Sequence, residues 1–150
     1  MRRSLRLTVA ALTVGAAMLP LTAMASTTPL GVSHAKVLAR IDARLDMRIN
    51  CPAPASGDSV TLETVDAFVE QAAGSGIASG NGGVVAGAPG QLLWQCTSAN
   101  VIFPLDVLAD VSGRPFHKGA AIVSASLDIY YASGAEFSAT YGPAVVNLAG

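Results

Sequence analysis

Between Ala39 and Cys51 apolar and polar side chains alternate without a break. Ala39, Ile41, Ala43, Leu45, Met47, Ile49 and Cys51 hold one parity, and Arg40, Asp42, Arg44, Asp46, Arg48 and Asn50 hold the other. Successive side chains of an extended chain point to opposite faces, so this pattern is that of a strand with one face in a core and one in water. The same stretch also repeats every four residues, at Val37, Ile41, Leu45 and Ile49, as a helix would. Charge separates the two readings. On a helix Arg40, Arg44 and Arg48 would stack at i, i+4, as would Asp42 and Asp46, and like charges at that spacing destabilise a helix. On a strand the signs alternate along one face. The segment is expected to be a strand, ended by Pro52 and Pro54.

Further strands follow the same logic. Ala121, Val123, Ala125, Leu127, Ile129 and Tyr131 form a second period-two face. Val101, Phe103, Leu105, Val107 and Ala109 form a third, where Pro104 points to an edge strand or a bulge, since it has no N–H to donate. Leu92, Trp94 and Cys96 alternate with Leu93 and Gln95. Phe137 with Ala139, and Val145 to Leu148, suggest short closing strands after a turn at Ser133-Gly134. Residues 59–71 are less decided. Val65, Ala67 and Val69 alternate, but Leu62, Val65, Phe68, Val69 and Ala72 also fit a helix capped by Thr61. A strand is preferred, with a bulge to absorb the phase shift between Leu62 and Val65. The glycine-rich stretch 72–90 reads as a long loop, or a weak hairpin through Asn81-Gly82. The sum is an all-β domain, a β-sandwich of about six or seven strands spanning residues 36–150.

The N-terminus reads as an export signal. Arg2, Arg3 and Arg6 form a basic region, Leu7 to Leu21 an apolar one, and Ala23-Met24-Ala25 a small-x-small cleavage site. The apolar run is short for a membrane span. Arg6 interrupts the apolar residues that would follow a twin-arginine pair, so the general secretory route fits better. Residues 1–25 are therefore expected to be a cleaved signal peptide, and residues 26–35 a loose N-terminal arm. The mature chain is expected to have no transmembrane anchor and to be secreted or retained in the cell envelope. Its remaining 125 residues are one domain's worth, enough to bury a core without metal. The signal holds three of the nine Lys and Arg and none of the ten Asp and Glu, leaving a mature charge of −4. That argues against nucleic acid and anionic membranes as partners. In an exported chain the two cysteines, Cys51 and Cys96, read as one disulfide beside Trp94, bridging two sheets. A zinc site would need two more ligands, and no histidine stands near either cysteine.

The order Cys51, a strand ending near Gln71, a glycine-rich stretch, Cys96-Thr97, an alternating strand, and Gly113-Arg114-Pro115-Phe116-His117-Lys118-Gly119 before Ala120 to Ala125 resembles a group of small exported actinobacterial proteins. These carry a domain of unknown function. The resemblance covers roughly residues 36–132 and rests most on Pro-Phe-His-Lys-Gly and the two cysteines. It implies an immunoglobulin-like sandwich and an extracytoplasmic location. It implies no activity and no catalytic residues.

Motifs for chemistry are few. The chain has no Gly-x-Ser-x-Gly elbow, no His-Glu-x-x-His, no EF-hand loop and no Gly-x-x-x-x-Gly-Lys phosphate loop. His34 falls in the expected arm and His117 in a turn, and nothing in the sequence places a carboxylate and a nucleophile beside either. Asp106 and Asp110 would share a strand face about 13 Å apart, too far for a glycosidase pair. Glu63, Asp66 and Glu70 would share a face only on a helix. Tyr130 should face outward and could form a ligand platform with Tyr141, or simply cover apolar surface. No cofactor and no metal is expected. The reading is an exported non-catalytic β-sandwich that binds an extracellular protein or an envelope component. The alternatives are a secreted protease inhibitor, presenting residues 111–119 or 77–90, and a small secreted hydrolase.

Overall fold

The computed structural model describes residues 28–87, 93–111 and 113–150, so the expected signal 1–25 and the start of the arm lie outside it. The strands are β1 (Leu30–Ala39), β2 (Asp42–Ile49), β3 (Val60–Ala73), β4 (Gly76–Ala86), β5 (Val101–Ala109), β6 (Gly119–Tyr131) and β7 (Glu136–Leu148). No helix occurs among the described residues. Neighbouring strands pair antiparallel in the order β1-β2-β5-β4-β3-β6-β7.

This is one sheet, where the spacing of strands predicts two packed sheets. Its ends approach each other and nearly close a barrel. Val37 N donates to Ala149 O at 2.7 Å, and Ala149 N to Ala35 O at 2.9 Å, across a parallel bridge of β1 with the end of β7. A second joint is almost as narrow. β4 meets β5 only at Gly80↔Ala109 and Asn81↔Leu108. The two joints divide the barrel into a three-stranded half (β1, β2, β5) and a four-stranded half (β4, β3, β6, β7), with side chains of both filling the space between.

Period-two parity places that core. Ala43, Leu45, Met47 and Ile49 of β2 are buried, as are Val65, Ala67 and Val69 of β3 and Ala121 through Ile129 at alternate positions of β6. Each fully buried aliphatic side chain contributes roughly 1.5–3 kcal/mol of transfer free energy. The alternation over 39–51 does not make one strand, however. The chain turns at Arg40-Ile41, leaving Ile41 65 % exposed, and β1 begins at Leu30, inside the segment expected to be a loose arm. Residues 59–71 do form a strand. Its bulge lies between Val60 and Leu62, and the apparent phase shift arises because Glu63 occupies an inward position.

The glycine-rich stretch is β4, and the hairpin turns at Gly74-Ser75 rather than at Asn81-Gly82. Glycine is required there by close approach. A Cβ on Gly82 would sit 2.1 Å from the carbonyl oxygen of Asp106, and one on Gly80 2.3 Å from that of Leu108. Residues 93–100 form no strand, although Trp94 and Cys96 are both buried. Pro104 fits the expected edge in part: β5 pairs with β2 along its whole length but carries no β4 partner from Val101 to Val107.

Cys51 and Cys96 are disulfide-bonded. The bond does not bridge two sheets. Cys51 follows β2 and Cys96 precedes β5, and these neighbours already pair at Ile49↔Val101. The disulfide therefore extends one ladder, helped by Ser98 N donating to Cys51 O at 3.0 Å.

Candidate functional site

The connection between β5 and β6 folds over one end of the barrel. Phe116 is buried there, and its N–H donates to Arg40 O at 2.8 Å. Gln71, buried on β3, clamps the next residue twice: its Nε2 donates to His117 O at 2.7 Å, and its Oε1 accepts from His117 N at 2.9 Å. The imidazole of His117 lies between two further carbonyls. Nδ1 is 2.8 Å from Lys118 O and Nε2 is 2.9 Å from Ala72 O. These carbonyls, Lys118 first and then Ala72, favour the charged ring and raise its pKa above the ordinary value.

The opposite end holds an open groove of about 720 Å³ between Pro52–Asp58 and Tyr131–Phe137. Its Tyr131, Asp58 and Ser133 side chains are tied into the fold. Tyr131 Oη donates to Pro52 O at 2.8 Å, and Asp58 accepts from Ser133 Oγ at 2.6 Å and from Ser59 N at 2.8 Å. The Ser133 hydroxyl is the main reason the Asp58 carboxyl sits below the usual carboxylate range.

Near this end Glu63 is fully buried, and its Oε2 accepts from Leu93 N at 2.9 Å. Glu63 Oε1 and the indole Nε1 of Trp94 have no partner among the described residues. Burial is the first cause that pushes the Glu63 pKa up, against the backbone amides of Leu93 and Trp94. Trp94 packs edge-on to Phe103 with ring centroids 5.2 Å apart. Glu63 and Gln71 thus anchor the two long connections, one at each end of β3.

A third feature is the outer face of the four-stranded half. Register aligns Ser79, Glu70, Ile122 and Val145 in one row, with Ile77 and Ala72 in the row beside it and Phe68 on the other side. Ile77, Ile122, Val145 and Phe68 are 61 %, 45 %, 74 % and 42 % exposed. A shallow depression of about 320 Å³ lies between Ile77, Ile122 and Val145, lined also by Glu70, Gln71, Ala72, Ala120 and Ala121.

The residues singled out from the sequence are not gathered into a site. Asp106 pairs with Arg44 of β2, with bonds of 2.7 and 3.0 Å, and Asp110 accepts from the Ser79 hydroxyl. Glu63 points inward, whereas Asp66 and Glu70 lie on the opposite face of β3. Tyr130 and Tyr141 also fall on opposite faces, since Tyr141 pairs with inward Ala125 and Tyr130 alternates with inward Ile129; they form no common platform. His34 is exposed on β1, opposite Asp46. Among the described residues no group of three or more His, Cys, Asp or Glu converges as metal ligands would. Sequence reasoning missed the roles of Gln71 and Glu63. Their one signal is a polar residue at inward parity on an otherwise apolar strand face.

Compared with models of protein families, with curated proteins and with solved structures, the chain has no match in any of the three.

Proposed function

We propose that this chain is an exported, non-catalytic binding module, which docks an extracellular or envelope protein on the outer face of β3, β4, β6 and β7. The observation that carries this reading is the cluster of Phe68, Ile77, Ile122 and Val145, large apolar side chains exposed together on adjoining strands. A solvated sheet face ordinarily carries polar residues, and contiguous exposed apolar groups mark contact sites. The Cys51–Cys96 bond suggests an oxidising compartment, which supports export, as do the basic, apolar and small-x-small regions of residues 1–25. Among the described residues no helix is long and apolar enough to cross a membrane. The mature charge of −4 disfavours nucleic acid as the partner. The non-catalytic reading is supported by His117, whose ring nitrogens both face carbonyls rather than a nucleophile.

The test compares oxidised Ser26–Gly150 with an Ile122→Asp/Val145→Asp variant, each immobilised and exposed to envelope and culture-fluid fractions. The expected result is a protein retained by the parent and lost from the variant, with the far-UV circular dichroism unchanged. Equal retention by both, or retention by neither at low and moderate salt, would overturn the assignment of this face. N-terminal sequencing of the protein made in its source checks export: Ser26 is expected, and an intact Met1 refutes it.

A further inference from the structure

A neutral imidazole has one N–H donor and one lone-pair acceptor, whereas an imidazolium has two donors. His117 is placed between two acceptors, Lys118 O at 2.8 Å and Ala72 O at 2.9 Å. Only the charged ring satisfies both. The neutral ring donates to one carbonyl and turns its lone pair toward the other.

We propose that residues 114–118 form a strap across this end of the barrel, and that the charge on His117 sets whether it is fastened. With the imidazolium present, the ring staples the strap to the end of β3, beside the Gln71 clamp on the same backbone. Phe116 is the side chain the strap carries into the core, at 3 % exposure. When the ring loses its proton one of these two bonds is lost. With the remaining proton on Nδ1, facing Lys118 O within the strap, the link to Ala72 O is gone, and the strap is held by Gln71, by Phe116 N on Arg40 O and by the long Arg114–Ser75 contact.

The charged groups around the ring do not produce this effect. Arg40 from the β1–β2 turn and Arg114 from the strap line the same shallow depression as His117, and Lys118 adjoins it in sequence; all three disfavour a cation. β3 contributes Gln71 and Ala72, both uncharged, and Glu70 is the carboxylate nearest along that strand. The end of β7 brings Gly150 against the Lys118 stem. The carbonyls are what favour the charged form, and they move the histidine pKa upward. The sign follows by linkage. The staple is complete below the unfolded value of about 6.5 and is lost as pH rises through the higher folded value.

Two measurements test this. Imidazole nitrogen-15 shifts of the wild-type protein should show both His117 nitrogens protonated at about pH 6, with deprotonation above the ordinary histidine value. Amide exchange, corrected for its intrinsic pH dependence, should show the protection of Phe116 falling about two- to tenfold as the ring titrates, the worth of one hydrogen bond. In His117→Gln that pH step should vanish. A neutral single tautomer at pH 6, or Phe116 protection unchanged while the ring titrates, would overturn the proposal.

Discussion

Reducing the Cys51–Cys96 bond should cost this fold about 4 kcal/mol. The cysteines are 45 residues apart, and a closed loop of that length removes about 13 cal/mol/K from the unfolded chain in the chain-entropy model. At 25 °C this is about 4 kcal/mol, a large part of the 5–15 kcal/mol typical of a domain. Unfolding entropy runs near 2.1 cal/mol/K per residue, so for about 120 ordered residues the Tm should fall by about 16 °C. The structure says why the native state itself should change little. Ile49↔Val101 pairing and the Ser98–Cys51 hydrogen bond hold the two cysteines together without the covalent link. The effect should therefore lie in the unfolded state, whose loop contains all of β3 and β4. Urea unfolding can be followed through Trp94, the one tryptophan, which is buried beside Phe103. The comparison is of oxidised protein, reduced protein and the Cys51→Ala/Cys96→Ala variant. Free energies rather than midpoints should be compared, because the cross-link also changes the compactness of the unfolded chain. A difference below about 1 kcal/mol between oxidised and reduced protein would refute the entropy argument. A loss seen in the alanine variant but not on reduction would assign the effect to packing.

Two further outcomes are expected. Glu63 has a folded pKa raised by burial, so its contribution to stability is present below the unfolded value of about 4.3 and is lost as pH rises through the folded value; urea titrations across that window should show a decline that Glu63→Gln removes, and parallel profiles would contradict it. Gly82→Ala drives a methyl into Asp106 O and should open the β4–β5 joint at a cost of about 1–3 kcal/mol, read as lost exchange protection at Asp110, whose N–H donates to Ser79 O; unchanged protection there would show that the joint relaxes freely.

What could be read from the sequence was parity, a local property. It located the buried faces of β2, β5 and β6, because these strands run without a bulge through their apolar positions or meet one only against a neighbour. It failed where the same parity continued through a turn. Arg40 and Ile41 keep the polar–apolar rhythm, so the turn between β1 and β2 looked like the start of the second strand. β1 was hidden for the opposite reason: register shifts between Val32 and His34 and between Val37 and Ala39 break its rhythm. The glycines of β4 looked like a loop because the contact that requires them is with Asp106 and Leu108, more than twenty residues away. Closure of the sheet was equally remote, resting on β1 meeting residue 149. The candidate sites failed for a geometric reason. Neither Tyr130 with Tyr141 nor Glu63 with Asp66 shares a face once the strand register is fixed, and His117 is held by backbone groups that no side-chain motif announces.

The narrowness of the two joints also bears on how the molecule comes apart. Each half keeps long backbone ladders of its own, while β4–β5 and β1–β7 together supply only three paired positions. The halves are therefore joined chiefly by interdigitated aliphatic side chains, in the manner of two leaves of a closed book. Agents that weaken apolar burial therefore act directly on that contact. A leaf-wise opening would bare four strand edges at once, on β1, β4, β5 and β7, and such edges are templates for pairing with a neighbouring molecule. Partial loss of the core would then be answered by edge-to-edge association between molecules, at a rate that rises with protein concentration.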